Sequence, residues 1–208
     1  MDALTAESLT NLVDAVTGRY AAKGGESERI RREIALVLGH VREARQRPPS
    51  VRRFERHGVT DYVDQAVAAA RKTAPELAAT LEPVAAELYW RYGYSPRPDA
   101  PGLENAMAWT ELVGPGHYWH SDDVCLGLTL IAPHNLYPDH YHPAVELYTV
   151  VAGESDWTLE GVTTRRFPGD RILHEKNAVH AMRSFDEPLL AIYSWTGDVL
   201  SPSRYAGL

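Results

Sequence analysis

The chain has one cysteine, Cys125, among 208 residues, so no internal disulfide can form, and a reducing compartment suits it. It also has no run of roughly 18 consecutive apolar residues, the length a membrane-spanning helix needs. Its opening, MDALTAESLT, has neither a basic segment nor an apolar one of the kind that directs secretion, and a cytoplasmic location is expected. Excess positive charge is lacking as well. The formal charge is -7, which argues against nucleic acid as a partner, because phosphate neutralisation needs a basic face. The single basic cluster, Arg45 to Arg56 around Pro48-Pro49, reads as a solvated interhelical linker. No internal repeat or low-complexity tract is present. What remains is an ordinary apolar share, 44%, enough for a real core in a chain the size of one domain with an extension.

The pattern divides in two. Over residues 1–95 the apolar period is helical. Leu9, Leu12, Val13, Val16 and Tyr20 form one stripe, which Gly24-Gly25 should end. Ser27 can cap a second helix striped by Ile30, Ile34, Val37, Leu38 and Val41, and Tyr62, Val63, Ala66, Val67 and Ala70 mark a third. A fourth should start at Pro75 and run through Leu77, Leu81, Val84 and Leu88, kinked at Pro83. These stripes read as packing surface. From residue 104 to about 200, short segments rich in β-branched and aromatic residues alternate with glycine and proline turns, the pattern of an all-β sandwich or barrel. The expected fold is mostly β, with an α-helical N-terminal region packed on the barrel.

Seven of the nine histidines lie at or beyond position 117, which places the chemistry in the β half. In DHYHPAVELY, His140, His142, Glu146 and Tyr148 all fall on even positions, which share one face of a strand. Ala144 leaves space on that face, while Val145 and Leu147 suit the opposite one. Pro143 cannot donate to a ladder and should bend the chain. Two imidazoles and a carboxylate suit a divalent transition metal such as Fe, Zn, Mn or Ni, and His180 is the candidate fourth ligand. His40 and His57 read as surface residues. His117, His120, His134 and His174 read as rim or core histidines rather than ligands.

This spacing resembles the cupin superfamily, a small double-stranded β-barrel (jelly roll) with a metal near its open end. Its first motif is glycine, five residues, His-x-His, three or four residues, glutamate, six residues, glycine. His140, His142, Glu146 and Gly153 match it, with His134 at the leading glycine. In the second motif Gly169 and His180 match, while Glu175, Asn177 and Ser184 stand for its proline, glycine and asparagine. Asn177 is an intelligible replacement, since asparagine tolerates positive φ. Tyr148, two residues after the glutamate, narrows the likeness to the cupin-type dimethylsulfoniopropionate (DMSP) lyases with an appended helical region. Tyr137 and Trp195 stand where that family has a tyrosine before the first histidine and a late tryptophan.

The resemblance implies a metal-dependent carbon–sulfur lyase that cleaves DMSP, a zwitterionic sulfonium carboxylate, to dimethyl sulfide and acrylate. In it Tyr148 serves as base, Tyr137 orients the carboxylate or assists Tyr148, and Trp195 with Tyr193 shapes the sulfonium pocket. Tyr118, Trp119 and Tyr141 are more remote aromatics. A homodimer is compatible with the apolar helical half. The same ligand set also serves oxygenases, decarboxylases and isomerases, and a cupin sensor without turnover is the non-enzymatic alternative.

Overall fold

The computed structural model describes residues 4–22, 24, 26–52, 54–116 and 118–207. Gly25 and His117, both singled out by the sequence reading, lie outside the described residues. The helical part comprises α1 (Ala6–Ala21), α2 (Glu28–Ala44), a 3-10 turn (Gly58–Tyr62), α3 (Val63–Ala70) and α4 (Pro75–Leu81). Each early helix begins on a side-chain cap. Thr5 and Ser8 form a reciprocal capping box on α1, and Ser27 accepts from the Ile30 N–H on α2. Pro83 does not kink a longer helix: α4 stops at Leu81 and the chain continues as turns. A proline ring there displaces the carbonyl four residues back, and so short a helix has too few remaining bonds to continue past it.

The strands follow as β1 (Trp90–Arg91), a single turn α5 (Leu103–Ala106), β2 (Met107–Gly114), β3 (Trp119–His120), β4 (Val124–Ile131), β5 (Leu136–Tyr141), β6 (Ala144–Ala152), β7 (Ser155–Leu159), β8 (Val162–Arg166), β9 (Arg171–His174), β10 (His180–Ser184), β11 (Leu189–Gly197) and β12 (Arg204–Tyr205). They build two sheets, one ordered β1-β2-β4-β11-β6-β9 with β3 on β2, the other β12-β5-β10-β7-β8. Their facing surfaces enclose a barrel interior, the double-stranded β-barrel expected from the sequence. The His-x-His segment is not one strand. His140 lies near the end of β5 in the smaller sheet and Glu146 lies on β6 in the larger, so the chain changes sheets at Pro143. Proline suits that corner because it has no N–H to leave unpaired.

The larger sheet is buried on both faces. On β4, Leu126, Leu128 and Leu130 face the helices in one cluster with Leu12, Val16, Val37 and Leu77. Cys125 and Ile131 of the same strand join Tyr148, Tyr193 and Met182 in the barrel interior. Leu147 falls on the helix side, as the period-2 reading placed it. Polar anchors cross the same boundary. The Tyr20 hydroxyl meets Ser194 Oγ at 2.7 Å, Thr73 donates to the Val151 carbonyl at 2.6 Å, and Glu33 accepts from Thr196. Among the described residues no helix is long and apolar enough to cross a membrane.

Backbone turns explain the motif glycines and their replacements. Gly153 and Gly169 have φ of 78° and 101°, and His134 and Asn177 stand in the left-handed region at 59° and 61°. Asparagine and histidine are among the side chains that tolerate that region best, so the turns survive without glycine. Gly127 has a different reason. A Cβ there would stand 2.1 Å from the Thr110 carbonyl oxygen and 2.8 Å from the Tyr193 ring, so only glycine lets that ring lie in the barrel. Gly127→Ala is expected to cost about 1–3 kcal/mol of stability through overpacking, read as a lower urea midpoint at unchanged slope. An unchanged midpoint would show that the Tyr193 ring moves aside freely.

Candidate metal centre

Four imidazoles are buried among the described residues: His140, His142, His174 and His180. Glu146 is buried with them at 2% exposure. Antiparallel pairing of β10 with β5 sets His180 opposite His140, and pairing of β6 with β9 sets Glu146 opposite His174. The two sheets thereby aim their histidines at one carboxylate. Glu146 Oε2 lies 3.0 Å from His142 Nε2, 3.2 Å from His180 Nε2 and 2.9 Å from His174 Nδ1. Its other oxygen, Oε1, accepts from the Trp195 indole N–H at 2.7 Å.

Tautomers decide what these contacts mean. His140, His142 and His180 each place Nδ1 beside a main-chain carbonyl, those of Pro138, Ala144 and Ala178, at 2.8, 3.1 and 2.8 Å. A carbonyl only accepts, so each Nδ1 carries a proton, and a ring without a second proton presents a bare lone pair at Nε2. In singly protonated rings two of those lone pairs face Glu146 Oε2, an arrangement that repels unless a cation lies between. His180 Nε2 is buried with no hydrogen-bond partner. Buried orphans of this kind call for a ligand or ion. Ligand atoms of His142, Glu146 and His180 lie within 4.8 Å of one another, and these three residues could hold a metal ion. Nitrogen and carboxylate donors of this kind fit a divalent transition metal. His140 stands outside that trio. Its ring packs edge-on against His180 at 3.9 Å between centroids and stacks on Tyr137 at 3.7 Å.

Burial pushes the His140 imidazole well below its ordinary pKa, reinforced by His180, and it pushes His174 down to about 4 for the same two reasons. Neutral rings are what metal ligation requires. Burial alone would push the Glu146 carboxyl up. Where the His142 ring carries a second proton, its charge and hydrogen bond, with the hydrogen bond of His174, outweigh burial and hold the group well below the usual range.

A cavity of about 250 Å³ opens beside this cluster, lined by His140, His142, Glu146, Tyr137, Tyr148, Tyr193 and Trp195 together with residues of other elements. All four predicted aromatic site residues therefore face one chamber. Tyr148 is 4% exposed, and burial followed by the Glu146 charge holds its phenol well above the ordinary pKa. Tyr137 shares a hydrogen bond with the hydroxyl of Tyr94, and burial raises it likewise. Tyr193 is opposite Tyr148 in the β11–β6 register, and its buried hydroxyl has no partner. Trp195 stacks on His142 at 4.1 Å, so it fixes the site as well as lining it.

The sequence reading missed Tyr94, Trp109, Glu111 and Arg91, which also line the chamber. The last two form a loose ion pair at 3.8 Å. No site residue was expected beyond Trp195, yet Val199 to Ser203 form part of the wall. His174 is a core histidine, as expected, but one that touches Glu146. A signal existed: Ile172 and His174 share a face of the RILH strand, and Ile172 points inward. His120 and His134 are exposed, as read.

A family model described as dimethylsulfoniopropionate lyase matches residues 31–191. The chain belongs to the DMSP lyase family. It is 33% identical over 111 residues to the DMSP lyase DddQ of Ruegeria pomeroyi, a match covering 53% of this chain and 55% of that protein. The chain thus spans about half the length of that relative. A putative DMSP lyase, DddL of Cereibacter sphaeroides, is 32% identical over 173 residues, covering 82% of this chain and 70% of the relative. The crystal structure of the Ruegeria pomeroyi DddQ superposes with a TM-score of 0.77 at 23% identity, covering 97% of this chain and 98% of that one. That likeness shows the fold, a cupin barrel carrying N-terminal helices, and it extends over the helical part of this DMSP lyase family member as well as its barrel.

Glu146→Gln keeps the shape of the side chain and removes the negative charge on which the imidazoles converge. Bound metal after reconstitution with Zn or Fe is expected to fall at least about tenfold in affinity, read by elemental analysis and chelator competition. Unchanged affinity would remove Glu146 from the ligand set.

Proposed function

We propose that this protein is a metal-dependent lyase that cleaves DMSP to dimethyl sulfide and acrylate by β-elimination, with Tyr148 as the base. The observation that carries the reading is the position of Tyr148. It lies on the same strand as Glu146, two residues on, in the chamber that His140, His142 and Trp195 also line. Membership of the family supports the substrate.

His140, His142, Glu146 and His180 are the proposed ligands, with His140 joining the other three through the same Nε2 orientation. A divalent Fe, Zn, Mn or Ni ion held there would neutralise the charge that grows on the substrate carboxylate and would favour the phenolate of Tyr148. In the reaction Tyr148 Oη takes the proton from the carbon next to the carboxylate. The electron pair left behind forms the double bond of acrylate as the carbon–sulfur bond breaks, and sulfur keeps its bonding pair and departs as neutral dimethyl sulfide. Tyr137, tied to Tyr94 and stacked on His140, orients the carboxylate. The sulfonium needs a desolvated cationic site, and the faces of Trp195 and Tyr193 offer one at roughly 0.5–2 kcal/mol each. The barrel excludes bulk water, which strengthens each of these interactions.

Purified protein supplied with DMSP is expected to release dimethyl sulfide and acrylate in equal amounts, read by headspace gas chromatography and liquid chromatography. Tyr148→Phe should bind metal as the parent does yet form acrylate about 10²–10⁴-fold more slowly, the range of a lost general base. Near-normal turnover in that variant would reject Tyr148. With metal saturating, activity should rise toward alkaline pH, because burial and Glu146 favour the protonated phenol, which is inactive as a base. Oxygen uptake without dimethyl sulfide release would instead point to an oxygenase.

A further inference from the structure

We propose that Trp157 and His174 are positioning residues that lock the orientation of Glu146 without themselves ligating the ion. The proposal rests on the reading of Glu146 as a ligand. It starts from a contrast among the buried imidazoles. His140, His142 and His180 have Nδ1 held by a carbonyl acceptor, which leaves Nε2 bare. His174 is reversed. The Trp157 indole N–H donates to His174 Nε2 at 2.9 Å. An indole N–H can only donate, so Nε2 must be the accepting nitrogen and Nδ1 must carry the proton. That proton points at Glu146 Oε2, 2.9 Å away.

Both His174 nitrogens are therefore occupied, and the ring delivers a fixed hydrogen-bond donor to one carboxylate oxygen while Trp195 delivers another to Oε1. The carboxylate plane is held at both ends. The indole and imidazole of this relay are enclosed: Trp157 is 1% exposed and His174 is 0% exposed. Trp157 lies on β7 in the smaller sheet and His174 on β9 in the larger, so the pair also bridges the two sheets behind the carboxylate. Trp157 packs edge-on to Tyr148 as well, at 4.9 Å between centroids, which places one indole against both the ligand's partner and the proposed base. Without the Trp157 N–H, His174 is free to carry its proton on Nε2 and to turn a lone pair toward Glu146. That would repel the carboxylate and spread its orientation. Residues that orient a ligand in this way typically contribute 10–100-fold to metal affinity.

The test uses the full-length protein, Trp157→Phe, His174→Leu, His174→Asn and the double variant Trp157→Phe/His174→Leu. Long-range proton–nitrogen NMR on the metal-free proteins should show His174 protonated at Nδ1 in the parent and redistributed toward Nε2 in Trp157→Phe. Competition with a chelator should show Trp157→Phe and His174→Leu weakening Co(II) or Zn(II) binding about 10–100-fold, with an altered Co(II) visible spectrum. The double variant should be no weaker than His174→Leu alone, because the indole acts through the imidazole. His174→Asn, whose amide can donate from near the Nδ1 position, should recover most of the loss.

Two results would overturn the pair: an Nε2-protonated His174 in the parent, or an unchanged spectrum and affinity in Trp157→Phe alongside a loss of urea stability, which would mean packing only. If the parent binds no metal, or Glu146→Gln binds as well as the parent, the ligand reading falls and takes the pair with it. If Glu146→Gln weakens binding and the Trp157 and His174 variants do not, only the pair falls.

Discussion

The site depends on a carboxylate buried where it should not be charged. Glu146 is 2% exposed, and transfer of a carboxylate into such surroundings is costly unless opposite charge and donors meet it there. The indole of Trp195 and the imidazole of His174 answer part of that demand. The remaining approach, from His142 and His180, brings nitrogens that carry no proton when the rings are neutral, since the Nδ1 protons are committed to carbonyls. Those nitrogens make the arrangement worse for a lone carboxylate and better for a carboxylate that shares a cation. The electrostatics of the interior and the ligand geometry therefore call for the same missing charge.

That charge balance also sets the chemistry available to Tyr148. Burial and the neighbouring carboxylate both favour its neutral phenol, so the protein matrix alone opposes a tyrosine base. The position becomes reactive only if the same positive charge that satisfies Glu146 reaches the phenol. Structure and reactivity are linked through one interaction. The aromatic surroundings keep it strong by holding out water: Tyr137 on His140, Trp195 on His142, Trp157 on Tyr148.

How much of this the sequence discloses follows from how local each feature is. His140, His142, Glu146 and Tyr148 are legible because they lie within nine residues and share a period of two. His180 is legible only through a motif spacing, since its approach to Glu146 depends on a second sheet. Pro143 shows as a bend, but nothing local says that the bend carries the chain from one sheet to the other. His174 and Trp157 are 28 and 11 residues from Glu146, and their roles come from the β6–β9 register and the cross-barrel indole. The alternation in RILH puts His174 on the inward face with Ile172, but nothing local says which group it meets there. The helix stripes were readable from their period, whereas the end of the last helix was not, because Pro83 weighs against a tail of only a few hydrogen bonds.

The helices that carry none of the chemistry nevertheless hold the strands that do. β9 is an edge strand of four residues, and its pairing with β6 alone would leave it prone to fraying. Arg171, at its start, donates to Glu26 at 2.6 Å and to the carbonyls of Tyr20 and Ala22, in the last turn of α1 and the link from it to α2. Just beyond its end, Glu175 is bridged by Arg29 of α2, which also pairs with Glu33. Glu33 in turn accepts from Thr196, the neighbour of Trp195. The strand bearing His174 is thus gripped at both ends by the helical layer, and one of those grips leads on to the strand bearing Trp195. Both donors that hold the Glu146 carboxylate are braced by residues outside the barrel. An exposed ion pair, such as Arg29 with Glu175, contributes little by itself, but Arg171 and Glu26 are 8% and 11% exposed in their pair, so that anchor is shielded from solvent and salt. The appended helices are, on this reading, part of the structure that keeps the carboxylate in place.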